Sequence, residues 1–327
     1  MDTTARDGFA VPIGQRQTTM QLSRNRKRGA LQGRIVHWLF FACAVMSVIT
    51  TFGIVVSLLS QSLGFFGEIP FWEFLFGTNW SPILKDAEGN RHYGVLPLVS
   101  GTLLVASIAA AVAVPAGLAI AIYLSEYAPD KVRRSIKPVL EVLAGIPTVV
   151  YGYFALTFVT PLLQSIPVRV FREDLLVFNA LSAGLVMGLM IIPMVSSLSE
   201  DAMVAVPRSL RAAAYALGGT RLEVSLRIVV PAAFSGIIAS FILAFSRAIG
   251  ETMLVTLAAG ATPRLTFNPI ESIQAMTAFI VQLALGETPH GSLEYNTIFA
   301  VGLLLFALTL GMNVIGHFLV RRFREEY

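Results

Sequence analysis

Six long apolar stretches restrict the possible folds of this chain more than any other feature. They cover approximately residues 35–63, 98–124, 139–163, 175–198, 228–257 and 297–320. Hydrophobic residues make up 55% of the 327 positions and charged residues only 13%, whereas soluble domains carry about 25% charged residues. A helix of about 20 apolar residues crosses the hydrocarbon core of a bilayer. The sequence therefore predicts an all-α, polytopic membrane protein with six transmembrane helices.

The segments that connect these stretches alternate in basic charge. Of the 24 Lys and Arg residues, 18 lie in the N-terminal tail, in residues 125–138 and 200–227, and in the C-terminal tail. Only five lie in the other connections, and Arg247 lies inside an apolar stretch. Because basic loops stay on the cytoplasmic side, both termini and residues 200–227 are predicted to be cytoplasmic. The location is then the bacterial cytoplasmic membrane.

This topology divides the chain into four parts. Residues 1–34 form a basic tail, 35–92 the first transmembrane helix with an outer loop, 93–320 the core, and 321–327 a second tail. The first tail is polar and without apolar periodicity, so we expect it to be flexible and attracted to anionic lipid. The basic residues flank apolar stretches, which argues against a nucleic-acid partner.

Two outer loops and one apolar stretch carry further signals. Trp72 and Trp80 predict that residues 64–97 lie at the membrane interface. Residues 269–285 predict a re-entrant or surface helix, because they are too short and polar for a span. The small residues of 105–124 predict close helix packing. The prolines in or near the spans predict kinks; they are Pro115, Pro147, Pro161 and Pro193.

Cysteine and histidine suggest no further site. Cys43 is the only cysteine, so an intramolecular disulfide is excluded. It lies in an apolar stretch longer than the 7–15 residues (roughly) of a signal peptide's apolar region, which predicts a retained span. The four histidines lie at no metal-ligand spacing, so no metal site is expected.

The polar segment from Pro207 to Pro231 lies between two apolar stretches. Its pattern predicts a helix over residues 207–217 with an apolar face formed by Leu210, Ala213, Ala214 and Leu217. Gly218 is expected to end this helix, and Thr220 to cap a second one. A segment tethered this closely to the bilayer is better suited to docking another protein than to binding DNA.

The same segment resembles the EAA motif of ABC importer permeases, E-A-A-x3-G-x9-I-x-L-P. The matching positions are Ala212, Ala213, Ala214, Gly218, Ile228 and Pro231, with Ala212 in place of the glutamate and Val230 in place of the leucine. The resemblance extends over residues 93–320 and implies a MetI-like, type I permease core. It also implies that the segment is a coupling helix docked on an ATPase subunit. Arg208, Arg211 and Arg221 are the residues expected to meet an acidic groove there.

Three further segments are similar to the phosphate-specific PstC subfamily of these permeases. They are residues 145–152 (GIPTVVYG), 246–253 (SRAIGETM) and 276–280 (MTAFI). The sister PstA subfamily shares some of these features, and the long N-terminal part and large first outer loop favour PstC. The resemblance implies a second permease subunit, a dimeric ATPase subunit and an external phosphate-binding protein as partners.

Arg247 and Glu251 lie deep in the fifth apolar stretch. A charge at the bilayer centre costs about 2.5–3.5 kcal/mol, and residues four apart on a helix can pair. Either the two residues form an ion pair that holds two helices together, or they lie on a substrate pathway together with Ser246 and Thr252. The rigid guanidinium fork of Arg247 suits a tetrahedral oxyanion, and in the resembled family these positions are implicated in phosphate passage.

The sequence contains no phosphate-binding loop of the G-x-x-x-x-G-K-[ST] type. ATP and Mg are therefore expected on the partner ATPase, and this chain is expected not to be an enzyme. The sequence therefore predicts a permease subunit that imports inorganic phosphate. Permeases for molybdate or sulfate, a stand-alone channel, and a non-transporting scaffold or phosphate sensor remain alternatives.

Overall fold

The computed structural model describes residues 13–85, 89–169 and 174–322, with side chains from residue 33 onward. Two strands and fourteen helices form its described part. In chain order they are α1 (Ile13–Glu68), α2 (Phe71–Phe76), β1 (Trp80–Ser81), β2 (His92–Tyr93), α3 (Leu96–Ile122), α4 (Asp130–Gly145), α5 (Thr148–Phe154), α6 (Thr160–Ser165), α7 (Ala180–Val204), α8 (Arg208–Ala216), α9 (Arg221–Val224), α10 (Val230–Ala232), α11 (Phe234–Ile249), α12 (Met253–Ala258), α13 (Met276–Leu285) and α14 (Leu293–Arg322). Wider π-helical turns at Tyr123–Tyr127, Ala155–Val159 and Ser225–Val229 follow α3, α5 and α9.

The first helix begins earlier than predicted. The chain divides into two compact units, Met1–Ser57 and Leu58–Tyr327, and α1 starts at Ile13 in the first of them. The tail that was expected to be flexible is therefore helical from Ile13 onward, since its Arg, Gln, Lys and Leu residues have high helix propensity. Residues 1–12, and 323–327 of the second predicted tail, lie outside the described residues.

Among the described residues, four helices are long and apolar enough to cross a membrane, namely Gly33–Glu68, Leu96–Tyr127, Ala180–Val204 and Leu293–Arg322. Two bent helix pairs bring the number to six if each pair is one span. Counted in that way, the number of spans equals the six that were predicted. The span predicted from residue 175 begins at Ala180, where the Asn179 side chain caps α7 by accepting from the Ser182 amide.

The two bent pairs correct the predictions for residues 139–163 and 228–257, which were each expected to form one span. Asp130–Gly145 and Thr148–Ser165 meet at 86°, and Arg221–Ala232 and Phe234–Ile249 meet at 72°. At the first bend Ile146 is extended, with ψ 131°, because the ring of Pro147 excludes the helical conformation from the preceding residue. A hydropathy pattern shows how long an apolar stretch is, but it does not show whether the helix within that stretch bends.

Helices α3 and α7 share the most extensive helix–helix contact in the described part of the chain. The buried stripe of α3 consists of Ala106, Ala109, Ala113, Gly117 and Ala121. On α7, a Cβ added to Gly184 would lie 2.6 Å from Cβ of Ile108. Backbones approach this closely only where side chains are small, so the close packing predicted from residues 105–124 is confirmed.

An aromatic cluster surrounds Trp80 and packs between the two short strands and α13. This side chain is 3% exposed, its ring centroid lies 5.0 Å from that of Phe279 on α13, and its indole N–H has no hydrogen-bond partner among the described residues. Trp72, by contrast, is 68% exposed. The pairing of β1 with β2 turns the Trp80 ring inward against the cluster, and the interfacial position of residues 64–97 stays a prediction.

Helix α13 is shorter and more buried than predicted. Helix begins only at Met276, and Met276, Thr277, Ala278, Phe279 and Leu283 are buried, which excludes a surface helix. The preceding residues bond to the start of α7 instead: the Leu181 amide donates to the Pro269 carbonyl at 2.7 Å. Satisfying the free amides of α7 keeps these residues out of the helix.

Candidate functional site

The segment between Pro207 and Pro231 folds into two short helices around a glycine turn, as predicted. Helix α8 follows Pro207, and Gly218 has φ +83°, a conformation that glycine adopts without strain. Thr220 then forms a capping box with Glu223. The Thr220 amide donates to Oε2 of Glu223 at 3.0 Å, and the Glu223 amide donates to Oγ1 of Thr220 at 3.3 Å.

The predicted apolar face of α8 is only partly correct. Leu210 and Ala214 pack on a buried cluster that includes Ala121 and Met203. Leu217 is 90% exposed, because it follows the helix with ψ 5° and no longer obeys the helical period. Ala213 is exposed as well. The exposed surface of this segment includes five of the predicted coupling residues: Arg208, Ala212, Ala213, Gly218 and Arg221.

The capping box changes the pKa of the Glu223 carboxyl. Hydrogen bonds from the backbone and side chain of Thr220 hold the pKa of the Glu223 carboxyl below its usual range, since they stabilise the charged form. The second helix of the segment is therefore best capped when Glu223 is ionised.

Arg211 does not share the exposed surface predicted for it. Its Nη2 lies 2.9 Å from Oε1 of Glu126, and only 17% of its side chain is exposed. The guanidinium also donates to the carbonyl oxygens of Met203 and Val206. This corrects the expectation that Arg211 meets an ATPase groove: in this conformation its donors are used inside the chain.

A second buried carboxylate lies at the same end of the bundle. Glu200, on the last turns of α7, has a side chain that is 1% exposed, and it forms ion pairs with Arg133 and Lys137 of α4. Neither Glu126 nor Glu200 was singled out from the sequence. Both are carboxylates at the basic ends of apolar stretches, which is the signal that would have identified them.

The membrane charges are arranged differently from the prediction. Helix α11 ends at Ile249 and Gly250 follows as its cap, so Arg247 and Glu251 do not share a helix face. Arg247 is exposed and Glu251 is buried, and no ion pair joins them in the described part of the chain. Oε1 of Glu251 instead accepts from the Leu254 amide at 3.4 Å.

The residues next to this break provide further polar groups. Ser246 donates to Oδ1 of Asn313 at 3.3 Å, and Thr252 donates to the Gly250 carbonyl at 3.3 Å. Thr277 of α13 donates to the Glu251 carbonyl at 2.7 Å. Asn313 was missed by the sequence reasoning, although an amide inside the apolar stretch 297–320 is a detectable signal. The arrangement places an exposed guanidinium at a helix break, where it can donate to an anion.

The comparisons with known proteins agree with this architecture. Residues 113–325 match the family model described as "Binding-protein-dependent transport system inner membrane component". The chain is 35% identical over 289 residues to the probable ABC transporter permease protein YqgH of Bacillus subtilis, which covers 88% of this chain and 89% of that protein. It is 32% identical over 317 residues to the phosphate transport system permease protein PstC of Mesorhizobium japonicum, covering 90% and 92%.

Among solved structures, a bacterial ABC transporter that imports the acidic polysaccharide alginate matches with a TM-score of 0.61 at 15% identity, covering 93% of this chain and 100% of that one. The methionine transporter MetNI, in an inward-facing conformation, matches with a TM-score of 0.51 at 16% identity, covering 71% and 95%. These likenesses confirm the predicted MetI-like fold. The chain therefore belongs to the family of inner membrane components of binding-protein-dependent transport systems.

Proposed function

We propose that this chain is one permease subunit of an ATP-driven importer that carries inorganic phosphate across the bacterial cytoplasmic membrane. The observation that carries the proposal is the similarity, over about nine-tenths of both chains, to a permease named for phosphate transport. The exposed Arg247 supports it, because a guanidinium offers a fixed charge and a planar set of donors to an oxyanion.

The importer would contain several chains. A second, PstA-like permease subunit completes the pathway, a dimeric ATPase binds ATP and Mg, and an external phosphate-binding protein delivers the substrate. This chain itself carries out no hydrolysis. Both termini and the segment 200–227 face the cytoplasm in this proposal, since most of the basic residues lie there.

Two groups of residues have different roles in the proposed cycle. The exposed surface formed by Arg208, Ala212, Ala213, Gly218 and Arg221 docks on the ATPase, with Ala214 supporting it from beneath. Arg247, Ser246 and Thr252 line the phosphate path. Glu251 holds the turn between α11 and α12, through its contacts with Leu254 and Thr277, and so keeps Arg247 at the helix break.

The deciding experiment is reconstitution of this chain with its partner chains in lipid vesicles. We expect ATP-dependent uptake of labelled phosphate that an excess of sulfate or molybdate does not displace. Uptake of sulfate or molybdate in place of phosphate would change the substrate class. Uptake without the ATPase would indicate a channel, and binding of partners without any flux would indicate a scaffold or sensor.

The pathway role of Arg247 is tested by Arg247→Gln. A hydrogen bond to a charged group contributes about 1.5–3 kcal/mol, so uptake should fall roughly 10- to 100-fold. Arg264→Gln is the matched control, because Arg264 is an exposed arginine of the outer segment. Unchanged uptake in Arg247→Gln, with assembly and ATP hydrolysis intact, would remove Arg247 from the pathway.

A further inference from the structure

One guanidinium joins three helices at the cytoplasmic end of the bundle. Arg211 belongs to α8. Its Nε and Nη2 donate to Oε1 of Glu126, at 3.2 and 2.9 Å, in the π-helical turn that ends α3. Its Nη1 donates to the Val206 carbonyl at 2.6 Å, and Nη2 also donates to the Met203 carbonyl at 2.8 Å, where α7 ends.

The chemistry of this junction requires an arginine. The last carbonyls of a helix have no partner within it, and a cation is favourable at that end of the helix. A guanidinium can serve two carbonyls and a carboxylate at once because its donors are fixed in a plane, whereas a lysine offers one compact charge. The side chains are 17% and 7% exposed for Arg211 and Glu126, so water competes little for these bonds.

The junction differs from the other contacts of α8 in being directional. Leu210 and Ala214 rest on an apolar cluster with Ala121 and Met203, and apolar contact constrains distance more than direction. Charge-assisted hydrogen bonds fix both. A displacement of α8 therefore reaches α3 and α7 through Arg211, and these two helices share an extensive contact with small residues along it.

We propose that Arg211 and Glu126 are positioning residues that transmit the movement of α8 to the α3–α7 pair, so that ATP hydrolysis is coupled to opening of the membrane path. This inference rests on the proposed function, since it requires an ATPase that moves α8. It assigns the pair no contact with ATP, with the ATPase or with the transported anion.

The test uses the fully assembled transporter in lipid nanodiscs and vesicles, with Glu126→Gln and Arg211→Lys. Three quantities are measured: co-purification of the subunits, the basal rate of ATP hydrolysis, and phosphate imported per ATP hydrolysed. We expect assembly and basal hydrolysis to stay close to wild type. The import per ATP should fall roughly tenfold, which lies within the usual range of allosteric coupling. Glu141→Gln removes an exposed carboxylate on α4 that has no ion pair in the described part of the chain, and should change nothing.

A distance measurement separates this inference from the proposed function. In a Cys43→Ser background, spin labels at Ala111 of α3 and Val314 of α14 report movement of α3 without any transported substrate; both positions are exposed. We expect ATP to shift this distance in the wild type and not in Glu126→Gln. No shift in the wild type would contradict the proposed ATP-driven function.

Two outcomes would overturn the inference itself. One is an equal ATP-dependent shift and an equal import per ATP in the wild type and Glu126→Gln. The other is loss of assembly in both Glu126→Gln and the charge-conserving Glu126→Asp, which would make the pair a requirement for folding and not for coupling.

Discussion

The α3–α7 pair and the two bent helix pairs solve the same problem, crossing a bilayer, in opposite ways. Helices α3 and α7 are continuous and sealed against each other by small residues such as Gly117, Gly184 and Gly188. The bent pairs are interrupted at Ile146 and Ala233, and α11 ends at Gly250.

The difference separates two helices that stay together as one unit from parts of the molecule that can adjust. Close packing leaves α3 and α7 little freedom to move against each other. The bent pairs carry helix α4, the capped turn at Thr220 and the exposed Arg247. Arg221 and Arg247, for which we propose contact with a partner and with the substrate, thus lie on an interrupted helix pair.

The largest effect is expected from a variant that disturbs the close packing of α3 against α7. In Gly184→Leu the added Cβ would lie 2.6 Å from Cβ of Ile108, so the helices must separate, and we expect a loss of about 2–3 kcal/mol of stability. The thermal unfolding midpoint of the purified chain in detergent measures it. Gly311→Leu is the control, because among the described residues no atom outside the adjacent backbone of its own helix lies within 4 Å of a Cβ added at Gly311. Equal midpoints for the two variants would mean that α3 and α7 are not sealed.

A smaller effect is expected at the ion pairs that join Glu200 of α7 to α4. Glu200→Ala leaves Arg133 and Lys137 without their anion, but these cations are 32% and 36% exposed, so water compensates in part. We expect a loss of about 1–2 kcal/mol. Hydrogen exchange should quicken in α4 and stay unchanged in α3. Asp201→Ala, which removes the adjacent exposed carboxylate, should leave α4 as protected as in the wild type.

The capping box should give a still smaller, local effect. Thr220→Ala removes the oxygen that accepts from the Glu223 amide, and loss of such a cap costs about 1 kcal/mol. Hydrogen exchange of residues 221–232 should quicken accordingly. Ser209→Ala, an exposed serine at the start of α8, serves as the reference; if both variants exchange alike, the cap does not fix the second bent pair.

The smallest effect is a pH dependence of the same turn. The pKa of Glu223 is lowered in the folded protein by its bonds to Thr220. Its contribution is therefore complete above the ordinary glutamate pKa and is lost as the pH falls through the lowered value. Protection of α9 against exchange, corrected for the intrinsic rate, should decline on acidification. In Glu223→Gln the protection should be lower at neutral pH and nearly constant; a parallel decline there would assign the dependence to another group.

Much of the architecture follows from local patterns. The apolar stretches, the stripe of small residues before Leu124, and the glycine turn with its Thr220 cap are all encoded within short segments. The bends were predicted only in part. Pro147 predicted a kink, but hydropathy cannot show that the helices before and after it meet at 86°. This angle depends on the contacts of α4 with other helices, such as its ion pairs with Glu200.

The side-chain partnerships were the least predictable part of the site. Arg211 and Glu126 are 85 residues apart, and the sequence around either residue does not predict that the two form a contact. Arg247 and Glu251 were paired by helical spacing, and that prediction was wrong because Gly250 ends α11 between them. The docking role of Arg208, Ala212 and Arg221 stays a prediction.

The burial of Trp80 has an optical consequence. The chain has three tryptophans; Trp38 and Trp72 are 64% and 68% exposed, and Trp80 is 3% exposed. Replacement of the first two by phenylalanine leaves a single indole, held edge-on against Phe279. The emission wavelength of that variant would report wetting of the aromatic cluster around Trp80 alone. The chain thus contains its own fluorophore for following any exposure of this cluster to water.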